Sequence, residues 1–133
     1  MAPLICYEDV PARIARAMTA QGAEALLTIF NDAWFGRTMA PYQHEAIAIW
    51  RAVENRRYLV RVGNAGATGV IDPFGRVVDR LGLFTAESLR AEIRPLHLET
   101  IYTRYGDAFA WSVVATAAVW LLAARRASPP VAP

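Results

Sequence analysis

Between Asp107 and Arg125 the chain carries no charged residue. A helix of that kind has two homes, the interior of a protein or the hydrocarbon of a bilayer, and a bilayer span needs about 20 largely apolar residues. Trp111 and Trp120 stand near the ends of the run, and Tyr102 and Tyr105 precede it, where interfacial anchors occur. Helical spacing gives the run no polar back of the sort that a helix lying on a sheet would show. A transmembrane helix over 107–126 is therefore expected, with a core helix as the alternative. Arg125 and Arg126 follow directly, which by the positive-inside rule puts the tail over 127–133 in the cytoplasm and residues 1–106 on the far side.

Those 133 residues suit one domain, and 55% of them are hydrophobic, enough for a core and a span. Formal net charge is +2, with both signs interspersed, so no basic stripe marks a nucleic-acid surface. The sole cysteine, Cys6, excludes an internal disulfide and leaves a free thiol in either redox compartment. All 14 basic side chains are arginine, so a mechanism that uses lysine must find it outside this sequence. The beginning lacks the pattern of a signal peptide. Its first strand has nothing ahead of it to pack against, and further sequence upstream is expected.

Cys6 is delivered by the apolar run Pro3, Leu4, Ile5 into the polar Tyr7, Glu8 and Asp9. Asp9 is a plausible N-cap, Pro11 suits a first helical turn, and Val10, Ile14 and Met18 recur at helical spacing as far as Gly22. Strand, sharp turn and helix is a geometry that exposes a nucleophile and aims backbone N–H groups at a developing oxyanion. A small buried thiol is the plainer alternative.

Ala25–Phe30 is a continuous apolar run, expected as a strand buried on both faces and parallel to the first. The polar-aromatic segment from Asn31 through Trp34 and Phe35 to His44 is a long loop, whose two aromatics either line a pocket or close an end of the core. His44 has no second His or Cys at ligand spacing, so no metal site is expected. A helix follows from about Gln43 to Asn55, with Ala46, Ile49, Trp50 and Val53 as its inward stripe. Tyr58–Val62 and Thr68–Ile71 read as strands around a turn at Asn64–Gly66, Asp72–Gly75 as a turn before Val77 and Val78, and Ser88–Ile93 as a last strand. The order predicts an α/β layered domain.

Several of these segments together resemble the nitrilase superfamily, and most of all its membrane-bound apolipoprotein N-acyltransferase family. Leu4–Glu8 is similar to that family's nucleophile motif, and Asn31–Gly36 to its most distinctive loop. Arg51–Asn55, Asn64, Gly66 and Asp72–Gly75 are similar to the superfamily's helix-strand-turn pattern. The resemblance spans Pro3 to about Ile93.

It implies a four-layer αββα sandwich, here in part, followed by the transmembrane helix, and a Glu, Lys, Cys triad of which only Cys6 lies in this sequence. Glu8 is similar to a supporting carboxylate near the family's site, and Tyr7, Glu8 and Trp34 are carried over as substrate-binding residues. The implied chemistry moves an acyl chain from a phospholipid, through a cysteine thioester, to the N-terminal amine of a lipoprotein. It needs no cofactor or metal. The implied setting is the bacterial inner membrane, with the domain periplasmic and a missing N-terminal part of the same enzyme as partner. Two alternatives stand beside it: a nitrilase-type amidohydrolase acting on a small amide, and an inert membrane-tethered remnant.

Overall fold

Alternating apolar runs and amphipathic segments build one mixed sheet with two helices on one face. A computed structural model describes residues 1–127, and the expected tail lies outside them from residue 128 onward. Strand β1 (Ala2–Ile5) runs through a 3-10 turn (Cys6–Asp9) into α1 (Ala12–Ala20). Next come β2 (Ala25–Asn31), a second 3-10 turn (Ala33–Phe35), α2 (Ala40–Asn55), β3 (Tyr58–Asn64), β4 (Gly69–Ile71) and β5 (Val77–Arg80). The short α3 (Ile101–Tyr105) precedes α4 (Ala108–Ala127).

The strands lie in the order β1-β2-β3-β4-β5. The first three are parallel, with Leu4 opposite Thr28 and Thr28 opposite Arg61, and β4 and β5 continue antiparallel. Two β-α-β passages followed by a meander is what the α/β expectation requires. Leu4, Leu26 and Leu59 point to the helical face and form the core with Ala15, Ala48, Ala52 and Ile71. On the opposite face Ile5, Ile29 and Val62 are about half exposed. Among the described residues β1 is an edge strand, and the part of that face around Ile5 and Ile29 stays half exposed.

Three local expectations are corrected. Asp9 does not cap α1: Pro11 takes the N-cap position with no side-chain cap, and Asp9 is fully buried among other partners. The inward face of α2 is His44, Glu45, Ala48, Arg51, Ala52 and Asn55, whereas Trp50 is 60% exposed. Ranking residues by hydropathy rotates this helix wrongly, because its inward polar groups find hydrogen-bond or ion-pair partners: Asp9 and Asp32 for His44, Arg80 for Glu45, Val10 and Glu54 for Arg51, and Thr103 for Asn55. Finally, 88–93 forms no strand. Leu89, Ala91 and Ile93 instead line a cavity over Val60, Val62 and Val70, so their alternation serves a face of the sheet and not its edge.

The run over 107–126 does become one long helix. Over Ala108–Arg125 its mean hydropathy is 1.5 and none of it is buried, so it is long and apolar enough to cross a membrane. Its approach is fixed from α1, where the Arg16 side chain donates to the carbonyls of Tyr102 (2.9 Å) and Arg104 (3.0 Å). Gly106, at φ 60°, then turns the chain from α3 toward α4 in a conformation that a side chain would strain.

Candidate active site

Hydrogen-bonded register carries β1 as far as Ile5, and the next residue breaks it. Cys6 has a φ of 52°, the left-handed region, which costs a non-glycine residue free energy and persists only where the surroundings enforce it. The turn is closed from both ends: the Ile5 amide donates to Glu8 Oε2 at 2.7 Å, and the Val10 amide donates to the Tyr7 carbonyl at 3.1 Å. Cys6 is half-buried and its thiol is free.

Tyr7 and Glu8 therefore share the elbow with Cys6. The Tyr7 ring packs edge-on to Phe35 (centroids 6.4 Å apart) and stacks on the His44 ring (5.2 Å, planes 13° apart). Trp34 stands apart, 83% exposed, with its indole N–H donating to the Asn31 carbonyl at 2.9 Å. The chain so gathers Cys6, Tyr7 and Glu8 into one turn, brings Phe35 to its rim and leaves Trp34 on the surface.

Beneath the elbow lies a buried ionic cluster that sequence patterning missed. His44, on the first half of α2, places Nε2 at 2.8 Å from Asp9 Oδ1 and Nδ1 at 3.1 Å from Asp32 Oδ1. Asp9 Oδ2 also accepts from Arg61 Nη1 at 2.9 Å. All four side chains are almost wholly buried. Burial acts most strongly on His44 and lowers its pKa, and the Arg61 charge acts the same way. The hydrogen bond and charge of Asp9, together with the Asp32 charge, outweigh both and hold the imidazole above its ordinary value.

Small residues make room for the cluster. A Cβ at either Gly63 or Gly66 would run into the Phe30 ring, and one at Gly66 would also meet Asp32 Oδ2 at 3.0 Å. Phe30 in turn lies edge-on to His44 (5.2 Å) and under the Arg61 guanidinium (4.2 Å to its centroid). A signal was present in the sequence: Arg61 interrupts an apolar strand, and an aspartate stands shortly after each of the first two strands. A charge inside a buried strand demands a partner.

Among the described residues no cluster of three or more His, Cys, Asp or Glu side chains is placed to hold a metal ion. Cys6 thus sits in a left-handed turn above a buried polar cluster.

Comparison with known proteins relates the chain to others of similar sequence and fold. An apolipoprotein N-acyltransferase of Geobacter metallireducens is 47% identical over 116 residues, which is 87% of this chain and 22% of the relative. One from Pseudomonas paraeruginosa is 41% identical over 132 residues, 97% of this chain and 25% of the relative. The chain thus spans about a quarter of the length of these relatives. Among solved structures, a carbon-nitrogen hydrolase from Helicobacter pylori superposes with a TM-score of 0.54 at 16% identity, over 60% of this chain and 35% of that one. A Nesterenkonia amidase of the nitrilase superfamily gives 0.52 at 26% identity, over 61% of this chain and 33% of the amidase. Residues 1–102 match the carbon-nitrogen hydrolase family, and with the sheet and the relatives in accord, the chain belongs to that family, within the nitrilase superfamily.

Proposed function

We propose that this chain supplies the nucleophile-bearing part of an apolipoprotein N-acyltransferase, with Cys6 as the acyl carrier. The observation that carries the reading is the left-handed φ of 52° at Cys6, at the end of a parallel strand. Such strain at a nucleophilic side chain is what an elbow stores to hold its attacking atom clear of the backbone. The substrate class rests on similarity to the two named relatives.

In this reading the Cys6 thiolate attacks the carbonyl carbon of a phospholipid acyl ester. The carbon–sulfur bond forms, the carbonyl electrons move to an oxyanion, and collapse expels the lysophospholipid alkoxide, which takes up a proton. The N-terminal amine of a lipoprotein then attacks the thioester, loses a proton and expels the thiolate, leaving an amide. Backbone N–H groups of the elbow are oxyanion donors, with Tyr7 and Glu8 flanking the acyl group and Trp34 reaching toward lipid. The glutamate base and lysine implied by the nitrilase resemblance come from outside this chain. Residues 1–106 form part of the catalytic domain, 107–126 the span and 127–133 a cytoplasmic tail, which puts Cys6 on the periplasmic side of a bacterial inner membrane. The length, hydropathy and full exposure of α4 support the span.

An amidohydrolase would resolve the same thioester with water, and α4 gives that reading no purpose. The test combines this chain in detergent with the remaining portion of the Geobacter relative, phospholipid and a diacylglyceryl lipopeptide. N-acylated lipopeptide that disappears with Cys6→Ala is the expected product. Hydrolysed acyl chain without N-acylation favours the hydrolase, and no Cys6-dependent product at all favours the inert remnant.

A further inference from the structure

A histidine that meets an ionised carboxylate at each ring nitrogen has to donate from both, since carboxylates only accept. His44 is in that position, with Asp9 on one side and Asp32 on the other. The charge of the cluster agrees. Asp9, Asp32 and Glu45 bring three negative charges; Arg61, bonded to Asp9, and Arg80, bonded to Glu45 at 3.0 Å, bring two positive ones. A charged His44 closes the balance in a place where an unpaired charge is costly. Four structural pieces meet there: the elbow through Asp9, the end of β2 through Asp32, α2 through His44 and Glu45, and β3 through Arg61.

We infer that His44 is a positioning residue for the nucleophile: held as an imidazolium between Asp9 and Asp32, it fixes the Tyr7 ring stacked on it and thereby the left-handed turn at Cys6. This rests on the reading of Cys6 as nucleophile and adds a role that patterning did not assign. Asp9 belongs to the same 3-10 turn as Cys6, so the clamp pulls on the elbow directly as well as through Tyr7. The groups that face the ring are Asp9 and Tyr7 from the elbow, Asp32 and Phe30 from the β2 end, and Arg61 from β3. Losing the proton would leave two buried carboxylates facing a neutral ring with one donor, and the turn would lose an anchor.

Two measurements in detergent test this, the first on the chain and the second on the chain combined with the remaining portion of the Geobacter relative. With 15N-labelled histidine, the His44 signals, assigned with a His97→Gln control, are expected to show both nitrogens still protonated at a pH above the ordinary histidine value of about 6.5, where a free imidazole is mostly neutral. A neutral ring at that pH overturns the clamp. The second measurement is the ratio of two rates at Cys6, acylation by a p-nitrophenyl ester and alkylation by iodoacetamide. Alkylation reads exposure, whereas acylation also reads the placement of oxyanion donors. His44→Gln is expected to lower that ratio roughly tenfold, the scale of a small misplacement of reacting groups. A folded His44→Gln chain with an unchanged ratio overturns the proposal; if that variant does not fold, the nitrogen spectrum of the unaltered chain decides. A doubly protonated His44 beside a Cys6 that acylates no better than free cysteine would overturn the nucleophile reading instead, so the two failures are distinguishable.

Discussion

The amide of Ile5 donates to the Glu8 carboxylate at 2.7 Å, so the residue two places after Cys6 ties down the residue just before it. Glu8 thus closes the turn like a helix cap, whatever it also does toward a substrate. Glu8→Ala is expected to destabilise the elbow by about 1 kcal/mol, the usual cost of losing a side-chain cap, while Glu8→Gln keeps an oxygen acceptor and most of the effect. Thermal unfolding of the two variants checks the difference. Equal losses from both would show that the charge of Glu8, and not its acceptor, matters at this turn.

Among the described residues Arg61 is the largest fully buried side chain, and there only its Nη1 finds a hydrogen-bond partner, Asp9. Its remaining face lies against the Phe30 ring. Arg61→Met removes the cation but leaves Asp9 buried, the situation that costs about 3–5 kcal/mol when one partner of a buried pair is deleted. Asp9→Asn combined with Arg61→Met removes both charges and should recover much of that loss. Chemical denaturation of the single and double variants measures the recovery; no recovery would mean that Asp9 answers mainly to His44.

Sequence pattern made β1, β2 and β3 legible because their core positions are leucine, and period and burial agree at Leu4, Leu26 and Leu59. It also made the strand, turn and helix around Cys6 legible, since an apolar run that ends in polar residues and a proline marks a strand giving way to a helix, while the role of the thiol stayed open. The same logic misassigned α2, where His44, Glu45 and Arg51 go inward while Trp50 goes out. Hydropathy ranks a residue by its cost in an apolar medium, and that cost is offset when the interior supplies a partner. The partners of His44 lie 12 and 35 residues before it, beyond the reach of any local period.

The raised pKa of His44 gives a pH dependence of definite sign. A group whose folded value is raised contributes stability that is fully present below its unfolded value, ordinarily about 6.5, and is lost as pH rises through the folded value. The melting temperature of the chain should therefore fall on the alkaline side, and that part of the fall should be absent from His44→Gln. A parallel decline in both proteins would assign the alkaline loss to other groups.

The exposed α4 predicts how the chain partitions. It should stay with membranes through high-salt and carbonate washing, as a spanning helix does. Val114→Arg sets a charge in the uncharged run between Asp107 and Arg125. At the centre of a span an arginine costs about 2.5–3.5 kcal/mol of insertion. That variant should shift the chain toward the washed fraction. Unchanged retention would point to attachment through another surface.

The chain by itself is expected to be silent in acyl transfer. Thioester formation needs a thiolate, and an unassisted cysteine is only a few per cent ionised at neutral pH. Turnover needs a base to take the proton from the incoming amine and a fixed donor for each oxyanion, contributions worth very roughly a hundredfold or more apiece. The elbow offers backbone N–H groups for part of the second, but the sequence contains no lysine, and Glu8 is already engaged by the Ile5 amide. The half-exposed Ile5, Ile29 and Val62 leave the sheet face beside Cys6 open to water, which weakens every electrostatic contribution there. Incubating the 133-residue chain with phospholipid and a diacylglyceryl lipopeptide, beside Cys6→Ala, should give equal and negligible N-acylation. Cys6-dependent product from the chain alone would identify Glu8 as a competent base, and Glu8→Gln would then abolish it.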